Sequence, residues 1–121
     1  NAKKIANSIE IVYGLRNFIG NANKFSKAKV YINLKSDSEI TQVVIEDDGN
    51  GYSRDVLSKI GEPYLRSSDP KEKSKTGLGL GLFIGKTLLE KNFASVNCRN
   101  SKTRSGAEVT IKWRNKDLFN I

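Results

Sequence analysis

The chain is most informative in its middle, at Thr41-Gln42-Val43-Val44-Ile45-Glu46-Asp47-Asp48-Gly49-Asn50-Gly51. Apolar and polar residues alternate from Thr41 to Ile45, which predicts a β-strand with one buried face. Asp47 falls on that face, so the pleat directs its carboxylate toward the core, whereas Asp48 is expected to be a solvated turn residue. A buried carboxylate needs hydrogen-bond donors, and the exocyclic amine of a bound base would supply one.

A predicted helix from Ile5 to about Phe25 precedes this strand. Its apolar residues recur every three or four positions, as on a helix with one buried face. Asn17, Asn21 and Lys24 form a second stripe at i, i+4 and i+7. Amide oxygens suit Mg²⁺, which takes its remaining ligands from water and phosphates, and the lysine can reach phosphate charge.

A third segment, Gly77-Leu78-Gly79-Leu80-Gly81-Leu82, directly precedes a helix predicted from Leu82 to about Lys91. Glycines allow phosphate to approach the backbone, and a helix N-terminus offers free N–H groups. The spacing is neither that of a Rossmann fingerprint nor that of a P-loop.

Each of these segments also has an ordinary structural explanation. The polar stripe could be a solvated helix face, the Asp-Gly segment a strand-ending turn, and the glycines a flexible hinge. A fourth segment, Gly61-Glu62-Pro63-Tyr64-Leu65-Arg66, completes an ordered set. Together they place an Asn pair, a lone buried carboxylate and two glycine-rich turns where a nucleotide and its metal could bind, and this points to ATP.

The remaining pattern predicts an α/β fold, a two-layer sandwich with a mixed, mostly antiparallel sheet. Strict alternation in its strands implies one wet face, so that helices cover only the other. Besides the elements above, we expect strands at 30–34, 94–99 and 107–114, a hairpin connection at 36–39, a short helix capped by Ser53 and ending near Ile60, and a polar loop at 67–75.

Composition limits the classes of protein that fit. At 121 residues the chain is expected to be one domain, and its single cysteine, Cys98, excludes an internal disulfide or a cysteine metal cluster. No apolar run approaches the ~20 residues of a membrane span, so we expect a cytoplasmic location. The net charge is +8, but the basic residues are scattered and no nucleic-acid motif accompanies them, so we expect no nucleic-acid partner.

The order of the four segments resembles the GHKL superfamily, and more narrowly the catalytic and ATP-binding domain of bacterial sensor histidine kinases. The resemblance covers roughly residues 9–114. The run Gly79-Leu80-Gly81-Leu82-Phe83-Ile84-Gly85-Lys86-Thr87-Leu88-Leu89-Glu90, with Gly61-Glu62-Pro63-Tyr64, looks most like RegB-type kinases. The resemblance implies a Bergerat (GHKL) fold and Mg-ATP as ligand.

The resemblance also implies roles for individual residues. Asn21 would coordinate Mg²⁺ with support from Asn17, and Lys24 would contact phosphate. In the base pocket the expected residues are Phe25, Asp47, Gly49 and Gly51. Around the mobile lid Ser67–Thr76 and the triphosphate they are Tyr64, Arg66, Thr76, Gly77, Leu78, Gly79, Leu80, Gly81 and Leu82. Asn17, Lys24 and Arg66 are the residues expected to act in phosphoryl transfer.

Two departures from the family pattern stand out. Gly61 occupies a position where the family usually has Phe, and the chain contains no histidine at all. The family's phosphoacceptor histidine lies on a preceding helical hairpin. We therefore expect residues 1–121 to be one ATP-binding domain, a fragment that lacks its dimerisation hairpin and is inactive alone. The implied partners are that hairpin and a response regulator, and the implied full-length protein is a membrane-anchored homodimer.

Three functions remain open on the sequence. The first is transfer of the γ-phosphoryl group of ATP to a histidine. The second is a GHKL-type ATPase or an anti-sigma-like serine kinase, and the third is a binding module with a degenerate site. The ATPases need a Glu at the position of Asn17 as general base, and an amide cannot take that role. All four segments keep their polar residues, which disfavours a degenerate site.

Overall fold

The computed structural model describes residues 2–59 and 77–118. In these ranges, two pairs of consecutive strands are preceded, separated and followed by helices. The helices are α1 (Ala2–Phe25), α2 (Arg54–Lys59), α3 (Gly77–Lys91) and α4 (Asn115–Leu118). The strands are β1 (Val30–Ser36), β2 (Ile40–Asp47), β3 (Ser95–Asn100) and β4 (Ala107–Arg114). Within these ranges, no helix is both long and apolar enough to cross a membrane.

The strands form one sheet in the order β1-β2-β4-β3. Every pairing among the described strands is antiparallel, so the predicted parallel component does not occur there. The predicted hairpin between β1 and β2 is present. Asp37 closes it, because its Oδ1 accepts hydrogen bonds from the backbone N–H groups of Glu39 (2.8 Å) and Ile40 (2.7 Å).

The sheet has one buried and one wet face, as the alternation predicts. Ile45, Val109, Ile111 and Trp113 point into the core, where each is at most 4% exposed. The opposite face carries polar rows, one of which runs from Lys35 through Gln42 and Lys112 to Ser95. The buried apolar residues of the described ranges therefore form one hydrophobic core between the sheet and the helices.

Helices α1 and α3 cover the buried face and cross each other closely at Gly14 and Gly85. A Cβ on Gly14 would lie 2.8 Å from Leu89 Cγ and 3.2 Å from the Gly85 carbonyl oxygen. A Cβ on Gly85 would lie 2.9 Å from Phe18 Cε2. The two helix backbones can approach because neither glycine has a side chain, and Phe18 and Leu89 fill the space beneath them. Burying a side chain of this size stabilises the fold by about 1.5–3 kcal/mol.

Helix α3 begins at Gly77, five residues before the predicted start at Leu82, so that prediction is wrong. The low helix propensity of glycine suggested a turn, but propensity is a weak term that tertiary packing overrides. The helix ends in a Schellman-type turn: Phe93 has φ 71°, and the Ala94 N–H donates to the Leu89 carbonyl (3.0 Å). Strand β3 consequently starts at Ser95, one residue later than expected.

Helix α2 begins as predicted. Ser53 caps it, since its Oγ accepts a hydrogen bond from the Val56 N–H (3.2 Å). The predicted end near Ile60 and the predicted loop at 67–75 lie outside the described residues.

Candidate functional site

Asp47 ends strand β2 with its carboxylate in the protein interior. The residue is 3% exposed, so its predicted orientation is confirmed. Its Oδ1 accepts hydrogen bonds from the backbone N–H groups of Gly49 (2.8 Å) and Ala107 (3.4 Å). Within the described part of the chain, Oδ2 accepts no hydrogen bond. One oxygen therefore fixes the carboxylate and leaves the other free for a ligand.

The glycines after Asp47 are required by the backbone. Gly51 has φ +77°, a conformation that residues with a Cβ rarely adopt. A Cβ on Gly49 would overlap the carbonyl oxygen of Phe25. The loop can therefore lie directly against the end of α1, as a site built from both segments needs.

A pocket of about 90 Å³ opens beside Asp47. Its walls combine apolar side chains with two amides, those of Asn21 and Asn50, and with the Asp47 carboxylate, a mixture that is common in small-molecule sites. The lining residues include Phe18, Asn21, Ala22, Phe25, Ile45, Asp47, Asn50, Gly51, Tyr52, Ala107 and Val109. The structure thus brings Phe25, Asp47 and Gly51 together as predicted.

Asn17 and Asn21 face the start of helix α3. A Cβ on Gly81 would lie 3.4 Å from Asn21 Nδ2 and 4.0 Å from Asn17 Oδ1. Asn17 Nδ2 donates to the Tyr13 carbonyl one turn back (3.0 Å), which leaves its oxygen available. Asn21 Nδ2 is a buried polar atom without a hydrogen-bond partner in the described structure. A buried amide of this kind indicates a place where a ligand supplies the partner.

Lys24 lies at the mouth of the site. The residue is exposed, and its Nζ is 5.4 Å from the centre of the Phe25 ring. Phe25 is itself 42% exposed and lines the pocket, so the lysine's charge lies near the pocket entrance.

The other predicted site residues either do not line the pocket or lie outside the described residues. Leu82 is 3% exposed and belongs to the hydrophobic core, so it supports the site by packing and does not line the pocket. Gly77, Leu78, Gly79 and Leu80 form the first turn of α3, where backbone N–H groups lack helical partners. Tyr64, Arg66, Thr76 and the lid Ser67–Thr76 lie outside the described residues.

Asp48 has a structural role that the sequence analysis missed. Its Oδ1 accepts hydrogen bonds from three consecutive backbone N–H groups, those of Lys27 (2.9 Å), Ala28 (3.1 Å) and Lys29 (3.2 Å). These bonds, those from Ala28 and Lys29 foremost, lower the pKa of the carboxyl below its ordinary value of 3.8. The expectation of a merely solvated turn residue is wrong, because Asp48 fastens the loop after α1 to the loop after β2.

Tyr52 is a second residue that sequence reasoning did not single out. It is 9% exposed, lines the pocket, and its hydroxyl lies near the Cys98 thiol. Burial raises the pKa of that thiol to about 11 and also raises the pKa of the Tyr52 hydroxyl. Both groups therefore stay neutral near pH 7, so Tyr52 contributes an uncharged polar side chain to the pocket that Asp47 also lines.

Comparison with known proteins identifies the family. The profile of the family described as "Histidine kinase-, DNA gyrase B-, and HSP90-like ATPase" matches residues 6–117. The chain belongs to this family. The GHKL resemblance seen in the four segments is thereby confirmed, and the pocket beside Asp47 lies in an ATP-binding domain of the sensor histidine kinase type.

Individual relatives agree with this assignment. The sensor histidine kinase RegB of Cereibacter sphaeroides is 34% identical over 119 residues, which cover 86% of this chain and 26% of RegB. The sensor histidine kinase CpxA of Escherichia coli is 28% identical over 87 residues, covering 72% of this chain and 19% of CpxA. The crystal structure of full-length ShkA in complex with AMPPNP superposes with a TM-score of 0.64 at 25% identity, over 86% of this chain and 21% of that one.

We predict that Asp48→Ala destabilises the domain at neutral pH by releasing three backbone N–H groups. A carboxyl whose pKa is lowered by folding contributes stability above its unfolded pKa and loses it as pH falls. The difference in unfolding free energy between parent and variant should therefore be constant near pH 7 and shrink below about pH 3.8. Urea denaturation between pH 2.5 and 7 measures it.

Glu39→Ala is the matched control, since Glu39 is an exposed carboxylate in the β1–β2 turn. It should show no comparable pH-dependent difference. Identical profiles for the two variants would contradict the role assigned to Asp48.

Proposed function

We propose that this chain binds Mg-ATP and transfers its γ-phosphoryl group to a histidine on a separate dimerisation domain. The proposal is supported chiefly by Asp47, whose buried carboxylate has one oxygen fixed by the protein and the other left for a ligand. The family assignment gives the ligand class, since the domain type binds ATP.

Base recognition follows from this arrangement. The exocyclic amine of adenine donates a hydrogen bond, and Asp47 Oδ2 is an acceptor in a pocket that is partly lined by apolar side chains such as Phe18, Ile45 and Val109. A base with a carbonyl at the same position, such as guanine, would set two acceptors against each other. The pocket should therefore select adenine over guanine by an unfavourable contact as well as a favourable one.

The residues present also fit a metal bound to the nucleotide. Among the described residues the buried Asn21 amide nitrogen has no hydrogen-bond partner, and the Asn17 oxygen faces the same part of α3. A half-turn of the Asn21 amide exchanges its nitrogen and oxygen, so it can offer either a donor to phosphate or an acceptor to a cation. Asn21, supported by Asn17, would hold Mg²⁺, which neutralises phosphate charge when bound.

The remaining residues position the triphosphate. The first turn of α3 offers free N–H groups and the positive end of the helix dipole. Lys24 adds a positive charge at the pocket entrance, and Arg66 is proposed to act on the transferred group. The incoming imidazole nitrogen attacks the γ-phosphorus while the bond to the β–γ bridging oxygen breaks, so that ADP leaves. The protein's contribution is then mainly positioning and charge neutralisation.

Hydrolysis of ATP is the second candidate function, since the matched family includes ATPases. Such a reaction needs a general base that takes a proton from water. Asn17 cannot serve, because it is an amide and its nitrogen already donates to the Tyr13 carbonyl. Transfer to an amino acid that is already nucleophilic is therefore favoured, and an imidazole fits better than a serine, which would also need a base.

The setting of the domain is also a proposal. The chain spans 26% of the length of RegB and 19% of CpxA. We propose that residues 1–121 act as one domain, in the cytoplasm, within a longer membrane-anchored homodimer. Its partners would be a histidine-bearing hairpin and the receiver domain of a response regulator, and neither nucleic acid nor a further cofactor is required.

We predict that Asp47→Asn weakens ATP binding about ten- to a hundredfold, because a hydrogen bond to a charged acceptor is worth about 1.5–3 kcal/mol. The parent should bind ATP much more tightly than GTP, and the variant should lose most of that preference. Calorimetric titration of both proteins with both nucleotides measures this, with circular dichroism to verify folding. Equal affinity of the parent for ATP and GTP would rule out Asp47 as the base reader.

A second prediction concerns the metal. Asn21→Ala should remove most of the gain in ATP affinity that the parent shows on adding Mg²⁺, while changing metal-free binding less. Asn23→Ala is the control, since Asn23 is an exposed asparagine on the same helix. Titrations with Mg²⁺ and with excess EDTA measure the ATP affinity with and without the metal. A full Mg²⁺ effect in Asn21→Ala would exclude Asn21 as the ligand.

The phosphoryl acceptor is tested with the chain itself, which contains no histidine. Incubated alone with γ-labelled ATP, it should neither become labelled on histidine nor release phosphate at a useful rate. Added to a RegB-type dimerisation hairpin, it should label that hairpin, and a hairpin with its histidine replaced by Gln should stay unlabelled. Rapid steady-state phosphate release by the chain alone would favour the ATPase.

A further inference from the structure

Asn100, the last residue of β3, forms two hydrogen bonds with the backbone of Tyr52. Its Oδ1 accepts from the Tyr52 N–H (2.6 Å), and its Nδ2 donates to the Tyr52 carbonyl (3.0 Å). The side-chain amide thus contacts Tyr52 as a neighbouring strand would, using one donor and one acceptor at once. These residues lie 48 positions apart in the chain.

The loop that Asn100 holds has little other regular support. Between the end of β2 at Asp47 and the start of α2 at Arg54 the backbone belongs to no helix or strand. Backbone polar groups in such a loop need partners from elsewhere. Gly51 passes so close to Asn100 that a Cβ there would lie 2.6 Å from Asn100 Oδ1.

The other end of the same loop is held by the residue opposite Asn100 in the sheet. Asn100 pairs with Ala107 across β3 and β4, at the end of the ladder. The Ala107 N–H donates to Asp47 Oδ1 (3.4 Å), while Asn100 binds Tyr52. One cross-strand pair therefore binds Asp47, directly before the loop, and Tyr52, near the end of the loop, and both of these residues line the pocket.

We infer that Asn100 is a positioning residue that sets the width of the base pocket, and with it the preference for adenine over guanine. This inference rests on the proposed function, in which the pocket takes adenine. The pair Asn100–Ala107 fixes the distance between the Asp47 carboxylate and the Tyr52 wall. If Tyr52 is released, a base can tilt away from Asp47 Oδ2, and the contact that distinguishes amine from carbonyl weakens.

The amide is suited to this position in ways that similar side chains are not. Aspartate would keep the acceptor for the Tyr52 N–H but would set a charge against the Tyr52 carbonyl. Glutamine is one methylene longer, and the close approach of Gly51 leaves no room for it. Asn100→Ala removes both hydrogen bonds, and Asn100→Asp keeps only the acceptor.

Asn97→Ala provides a matched control, because Asn97 lies on the same strand but is exposed on the wet face of the sheet. The first measurement is hydrogen exchange of the Tyr52 amide, by NMR, in the nucleotide-free protein. Exchange should accelerate in Asn100→Ala, stay close to the parent rate in Asn97→Ala, and be less affected in Asn100→Asp, which keeps the acceptor. Unchanged protection in a folded Asn100→Ala would overturn the inference.

The second measurement is the ratio of ATP to GTP affinity. Asn100→Ala should bind ATP about three- to thirtyfold more weakly, as expected for the loss of one or two hydrogen bonds. Its affinity for GTP should change little, so the ratio of ATP affinity to GTP affinity falls. A merely structural role would lower both affinities by one factor and leave the ratio unchanged, which would overturn the inference. If the parent does not bind ATP, the proposed function fails, and the exchange measurement still decides whether Asn100 holds the loop.

If Asn100→Ala does not fold, Asn100→Asp carries both measurements. It should protect the Tyr52 amide while losing part of the ATP-to-GTP preference. A parent-like preference in Asn100→Asp would overturn the inference.

Discussion

The burial of the Asp47 carboxylate is the constraint on which the site depends. A carboxylate that is 3% exposed must receive hydrogen bonds, and here they come from Gly49 in the next turn and from Ala107 on another strand. The neighbouring turn must also leave room, because a Cβ on Gly106 would overlap the Asp47 backbone. The β2–β4 register, the loop after β2 and the β3–β4 hairpin must all be correct before Asp47 Oδ1 is fixed and Oδ2 is left for the proposed contact with a base.

The second half of the site depends on how closely two helices approach. Gly14 and Gly85 let the backbones of α1 and α3 come together, and one side of that contact continues to Asn21 and Gly81. The amide side chains of α1 are thereby held against the start of α3, where backbone N–H groups have no partners within the helix. A packing feature of the core thus brings the two asparagines proposed to hold Mg²⁺ close to the helix start proposed to bind phosphate.

Much of the fold could be predicted because its signals are local. Alternation gave the strands, and the orientation of Asp47 followed from its position relative to Ile45 on one strand. The residues whose roles were missed have partners that are distant in the chain. Asp48 binds N–H groups 19 to 21 positions earlier, and Asn100 binds Tyr52 48 positions earlier. In the sequence, Gly14 is recognisable only as a residue that weakens a helix, because its role in helix packing depends on Gly85 of another helix.

The two ends of the site differ in how completely the protein satisfies its own polar groups. At the base end, Asp47 and Tyr52 are held by hydrogen bonds from Gly49, Ala107 and Asn100, so the pocket is largely formed before a ligand arrives. At the other end, the buried Asn21 nitrogen has no partner within the described residues. Preorganisation reduces the ordering cost of binding, so the base end suits selective recognition. The unsatisfied end gains its partners only when charge arrives, which suits a group that must be bound, transferred and released.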